Sequence, residues 1–177
     1  PPKITPPPAA DDATVAAIAR ALPAEGKKAL LLGGRALRAP ALLTQAFSAA
    51  LPDGLSGLIV NLLDVKLYAL NPDYFSYTIS KFGLLGLTEL SARALAPRIR
   101  VAGIAPAVTM VSGPQSRENF AAAHVHNPLA RGVTVDEIVG ALRFIVATPT
   151  LHGQVITLDA GQRLMGLPRD VAFMVDQ

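Results

Sequence analysis

Four short apolar runs, each closed by turn-forming residues and separated from the next by a stretch of helical spacing, restrict this chain to one kind of architecture. They occupy residues 27–34, 58–63, 100–105 and 154–158. Each reads as a strand, and the first, a continuous apolar run that ends in two glycines, looks like a strand buried on both faces of a parallel sheet. Between the runs, apolar residues recur three and four apart: Val15, Ile18, Ala19 and Leu22; Leu42, Leu43, Ala46, Phe47 and Ala50; Ile138, Ala141, Leu142 and Ile145. Such spacing places side chains on one helical face. Strand and helix in alternation predict an α/β domain: a parallel sheet of about four strands, flanked by helices and joined by right-handed crossovers.

Local signals place the boundaries. Asp11 or Asp12 caps the first helix, which Pro23 and Gly26 close; Pro40 lies near the start of the second, which ends at Pro52-Asp53-Gly54. A long helix over 74–96 carries apolar positions Phe82, Leu85, Leu90, Ala94 and Leu95, and Pro97 stops it. Gly83 and Gly86 are small enough to let another helix approach it. A modest helix follows over 116–124. Thr134, with Asp136 and Glu137 close behind, starts the last helix with a hydroxyl cap and carboxylates that favour the helix dipole.

With 51% hydrophobic residues and only 5% aromatic, the core must be built from Ala, Leu, Val and Ile, which suits helices packed closely on a sheet. The length of 177 residues fits one domain, residues 11–177, behind an extended leader over 1–10 that holds five prolines. A net charge of +3 invites a nucleic-acid reading, but the basic residues are scattered and not interleaved with aromatics, so no nucleic-acid partner is expected. The absence of cysteine excludes disulfides and thiolate chemistry and suits the cytoplasm. No apolar run reaches the ~20 residues that span a bilayer, and no signal-peptide pattern is present. A first residue of Pro and not Met indicates processing, trimming or an incomplete chain.

Residues 57–81 concentrate the chemistry. A buried strand delivers Asp64 at its C-terminal end, and Tyr77 and Lys81 follow one helical turn apart. Residues four apart share a helix face, so an ammonium beside a phenol lowers the phenol's pKa and makes it a proton donor near neutrality. Gly33 and Gly34 admit two readings, a phosphate approach at a strand end or a plain turn. Thr109 and Ser112 lie in a loop rich in turn formers and read as makers of local turn bonds. His124, His126 and His152 lack a third ligand and read as surface or turn residues, so no metal is expected.

Several segments taken in order, Gly-Leu-Ile-Val-Asn, Tyr77-Thr-Ile-Ser80-Lys81, Leu-Ala-Pro-Arg-Ile-Arg-Val, Ile-Ala-Pro and Gly-Gln-Val-Ile-Thr-Leu-Asp-Ala-Gly-Gln, make residues 39–177 resemble the C-terminal part of a short-chain dehydrogenase/reductase. Asp64 stands thirteen positions before Tyr77, where the family usually has serine, and this resembles the pteridine-reductase branch. The resemblance implies a truncated Rossmann-like sheet, half of a doubly wound fold, and NADPH (or NADH) as cofactor. It implies a pterin-like or carbonyl small-molecule substrate and a homo-oligomer. Carried over, Asp64 would orient or protonate the substrate, Tyr77 would donate a proton, and Lys81 would lower the pKa of Tyr77 and hold the nicotinamide ribose. Pro106, Val108 and Thr109 would cover the nicotinamide, while Ser80 supports structure. The family's glycine-rich diphosphate motif is absent, and Ala36 and Ala107 replace its usual Asn and Gly. Residues 1–40 resemble instead the start of the central domain of acetolactate-synthase-like thiamine-diphosphate enzymes, which implies a chimera joined near Arg38, with 11–38 foreign to the rest. The rival reading is a catalytically inactive, chimeric or truncated α/β module that self-associates.

Overall fold

A computed structural model describes residues 28–32, 37–111 and 115–175. The leader, the helix expected after Asp11, Gly33, Gly34 and Ser112 lie outside these residues. Four strands, β1 (Lys28–Leu32), β2 (Gly57–Leu62), β3 (Ile99–Pro106) and β4 (Val155–Leu158), form one parallel sheet in the order β1-β2-β3-β4. The helices between them are α1 (Arg38–Ala50), α2 (Phe75–Leu95), α3 (Arg117–Val125) and α4 (Val135–Ala147). This is the expected half of a doubly wound fold.

Alternation along the strands divides the core into two faces. Ile59, Leu63, Ile99, Val101 and Ala105 join Phe47 and Leu51 of the α1 region and Leu84 and Ala92 of α2. Leu58, Val60, Ala102 and Ile104 turn the other way, onto Ile138, Ala141, Leu142 and Ile145 of α4. All four α4 residues are those that the periodicity marks as its inner face. Because the sheet advances steadily in one direction, α1 and α2 on one face and α4 on the other mean that the third crossover has the opposite hand from the first two. The expectation of uniform right-handed crossovers is therefore wrong. The hand rule governs a helix fed directly from its strand, whereas the β3–α4 connection first makes a long excursion through α3.

The helix α2 buries a face that is largely polar. Its inward stripe is Thr78, Lys81, Leu84, Thr88, Ser91 and Ala92, while Phe82 and Leu90 face outward and are 38% and 68% exposed. Thr78, Lys81 and Thr88 serve on this inner face because each finds a partner: Thr78 Oγ1 donates to Tyr74 O at 3.1 Å, Lys81 Nζ to Leu62 O at 2.8 Å, and Thr88 Oγ1 to Leu84 O at 2.7 Å while accepting from Asn61 Nδ2 at 2.8 Å. Gly83 does admit a neighbour, since a Cβ there would fall 2.7 Å from Leu37 Cδ2 at the entrance to α1. At the start of α4 the reading holds in full: Thr134 and Glu137 form a reciprocal capping box. His152 is more than a turn residue, because its ring nitrogens meet Val101 N at 3.2 Å and Ala92 O at 2.9 Å and tie β3 to α2. Among the described residues no helix is long and apolar enough to cross a membrane.

Candidate active site

Asp64 lies two residues beyond the end of β2, later than the strand pattern suggested, and caps a short 3-10 turn over Val65–Leu67. Its two oxygens have separate duties. Oδ1 accepts the backbone N–H of Lys66 at 2.9 Å, which fixes the carboxyl plane, and Oδ2 accepts the Tyr77 hydroxyl at 2.6 Å. The first turn of α2 thus delivers Tyr77 onto the carboxylate at the C-terminal edge of the sheet, where open α/β sheets bind ligands. Lys81, one turn further on and only 5% exposed, donates to Leu62 O at 2.8 Å and Leu63 O at 3.3 Å, with Nζ 5.5 Å from the centre of the Tyr77 ring. Ser80 supports the same turn by donating to Tyr77 O at 2.6 Å.

Burial pushes the Asp64 carboxyl above its ordinary 3.8; the bonds from Tyr77 and from the Lys66 N–H and the charge of Lys81 oppose the shift without cancelling it. Burial also pushes the Lys81 ammonium down, against the charge of Asp64. The pair therefore sits where desolvation favours neutral forms, an environment suited to proton transfer.

These residues line a cleft of about 1400 Å³. Pro106, Val108 and Thr109 contribute the loop that leaves β3, so the structure brings the six sequence-selected residues to one cavity. The Thr109 hydroxyl donates to Ala107 O at 2.9 Å, the local turn bond that was one of its two readings. His124 and His126 stay apart from the cleft lining, and no cluster of metal-binding side chains occurs among the described residues.

A model of the family described as Enoyl-(Acyl carrier protein) reductase matches residues 15–163. The chain belongs to the short-chain dehydrogenase/reductase family. The short-chain dehydrogenase/reductase homolog YusR of Bacillus subtilis is 34% identical over 89 residues, which are 50% of this chain and 69% of that protein. The 3-oxoacyl-[acyl-carrier-protein] reductase of Synechocystis is 31% identical over 126 residues, 68% of this chain and 50% of that one. Among solved structures, FolM alternative dihydrofolate reductase 1 from Brucella canis, complexed with NADP, superposes with a TM-score of 0.68 at 41% identity, over 71% of this chain and 50% of its own. The matched part of the chain thus spans about half the length of the Synechocystis and Brucella proteins. The family match starts at residue 15, inside the segment that looked foreign, and gives no support to a join near Arg38 or to a thiamine-enzyme origin.

Four cleft residues were not legible in the sequence. Lys66, Asp73, Arg169 and Asp170 line or adjoin the cavity and interlock by charge, although no motif or periodic spacing singles them out. Asn119 is a fifth: it sits on α3, 7% exposed, and bonds to Ala172 O at 2.9 Å. Its only hint was a polar residue on the first turn of a weakly amphipathic helix.

Proposed function

We propose that this chain acts in the NADPH-dependent (or NADH-dependent) reduction of a pterin- or folate-like ring, with Asp64 and Tyr77 as the proton-delivering pair. The 2.6 Å bond between the Tyr77 hydroxyl and Asp64 carries this reading. A carboxyl biased by burial toward its protonated form can donate to a ring nitrogen, and Tyr77, already hydrogen-bonded to it, can replace the lost proton. Lys81 lies beneath the pair, and its positive charge offsets the negative charge left after transfer. The similarity to FolM, whose structure holds NADP, supports both the ring substrate and the cofactor.

The residues present fit the nicotinamide end of such a cofactor. The cleft, at about 1400 Å³, exceeds the roughly 300–1,000 Å³ that holds one drug-sized ligand, so cofactor and substrate can share it. Tyr77 and Lys81 would hold the ribose, and Pro106, Val108 and Thr109 would face the carboxamide. When bound, the cofactor supplies the hydride. A fluorescence titration with NADPH, with Tyr77→Phe and Lys81→Ala as controls, tests the reading, and no saturable binding at millimolar cofactor would sink it. Turnover of a simple carbonyl in preference to a pterin would refute the assigned role of Asp64.

A homo-oligomer is part of the same proposal. Phe75, Ile79, Phe82 and Leu90, 38–73% exposed, make an apolar stripe along the outer face of α2, and Gly86 beside it is open to an approaching backbone. Sedimentation should show an assembly that Phe82→Glu dissociates; a monomeric parent would refute it.

A further inference from the structure

The C-terminal segment of the described chain meets the cleft in a way that the proposed chemistry does not use. Leu167, Asp170, Val171 and Phe173 line the cavity that holds Asp64 and Tyr77. What fixes them there is a chain of charges. Lys66 is 6% exposed, and a buried ammonium is tolerated only when fully paired. Its Nζ meets Asp170 Oδ2 at 2.8 Å and donates to Asn71 Oδ1 at 2.8 Å. Asp170 Oδ1 accepts the Ala172 N–H at 3.0 Å and starts the turn Val171–Phe173, while the Asp170 N–H donates to Asp73 Oδ2 at 2.7 Å. Arg169 Nε grips both oxygens of Asp73, at 3.0 and 2.8 Å.

Two further contacts complete the arrangement. Tyr74, held at φ +53° where a bulky side chain is rarely found, stacks on Phe173 with ring centres 5.6 Å apart. On the other side, Asn119 of α3 donates to Ala172 O. The segment is therefore clamped between the loop that carries Asp64 and the helix beyond β3. Two cations face two anions, so the network keeps no net charge to attract a ligand, and its action is mechanical. Lys66 is also two residues from Asp64, whose Oδ1 holds the Lys66 N–H, so one short turn orients the carboxyl on one side and the wall on the other.

We propose that Lys66 is a positioning residue: through its ion pair with Asp170 it holds residues 167–173 as a fixed wall of the cleft, and so sets which substrates reach Asp64 and Tyr77. The word substrate rests on the reductase reading; the clamp does not. Two measurements on the full chain separate them. The first is hydrogen exchange of the amides of residues 170–174, which needs no ligand. Asp170→Asn, which keeps the cap on Ala172, and Lys66→Gln, which leaves a lone carboxylate, should each speed exchange there by at least about ten-fold, with β3 and α2 unchanged. The double variant Lys66→Gln/Asp170→Asn restores a neutral hydrogen bond and should recover protection. Exchange that stays slow in both single variants, or that rises equally in β3, overturns the clamp.

The second is steady-state kinetics with NADPH and a pterin. In the single variants KM for the pterin should rise about ten-fold while kcat changes by less than about two-fold, and the double variant should return KM toward the parent value. Faster exchange with an unchanged KM overturns the wall. A parent protein with no turnover overturns the reductase reading instead, and the exchange result alone then decides the clamp.

Discussion

Thr88→Val is the sharpest probe of how β2 holds the helix that carries Tyr77 and Lys81. Thr88 is 0% exposed and Asn61 1% exposed, and the Asn61 side-chain oxygen has no partner among the described residues. The bond from Asn61 Nδ2 to Thr88 Oγ1 is thus the amide's one attachment among these residues. Valine matches threonine in shape, so no cavity opens and the cost is that of a buried amide left unpaired, about 1–3 kcal/mol. Asn61→Leu should cost less, because Thr88 keeps its bond to Leu84 O. In the double variant both polar groups are gone, and the total should be smaller than the sum of the single costs, with a coupling of about 1–2 kcal/mol. For a domain of this size, a loss of about 2 kcal/mol lowers Tm by roughly 4–8 °C. The chain has no tryptophan, so urea unfolding is best followed by far-UV circular dichroism. Additive costs across the cycle, or a Thr88→Val protein as stable as the parent, would refute the argument that this bond pins α2 to the sheet.

Other perturbations follow from the same geometry. Arg100 donates to Thr148 O, Leu151 O and Ile145 O at the C-terminal end of α4, so Arg100→Met should lower urea stability by about 1.5–3 kcal/mol, and an unchanged midpoint would refute the capping role. Thr134→Ala removes the hydroxyl of the capping box and should cost about 1 kcal/mol, read in the same assay. The raised pKa of Asp64 makes a signed prediction. Below pH 3.8 the group is protonated in both states; above it the unfolded chain ionises first, so the stability contribution is lost as pH rises toward the raised folded value. Stability of Asp64→Asn relative to the parent should therefore climb across that window, and parallel stability curves from pH 3 upward would contradict the shift.

Sequence pattern alone determined the layers of this protein. The apolar runs at β2 and β3 could be strands only if both faces were covered, and α4 showed its inner face as Ile138, Ala141, Leu142 and Ile145. The trio of Asp64, Tyr77 and Lys81 was legible for the same reason: a strand end and a helix face are local devices, and spacing along the chain reports them directly. Tertiary structure decided everything that depends on residues distant in sequence. The inner face of α2 is polar at Lys81 and Thr88 because carbonyls of residues 62–63 and the amide of Asn61 wait opposite, and no periodicity in the helix can reveal a partner on another strand. The reversed hand of the last crossover and the ion pair between Lys66 and Asp170, over a hundred residues apart, have the same origin. Hydrophobic spacing records which side of an element is buried, whereas the groups that meet across the cleft are fixed only when the sheet and its loops close in three dimensions.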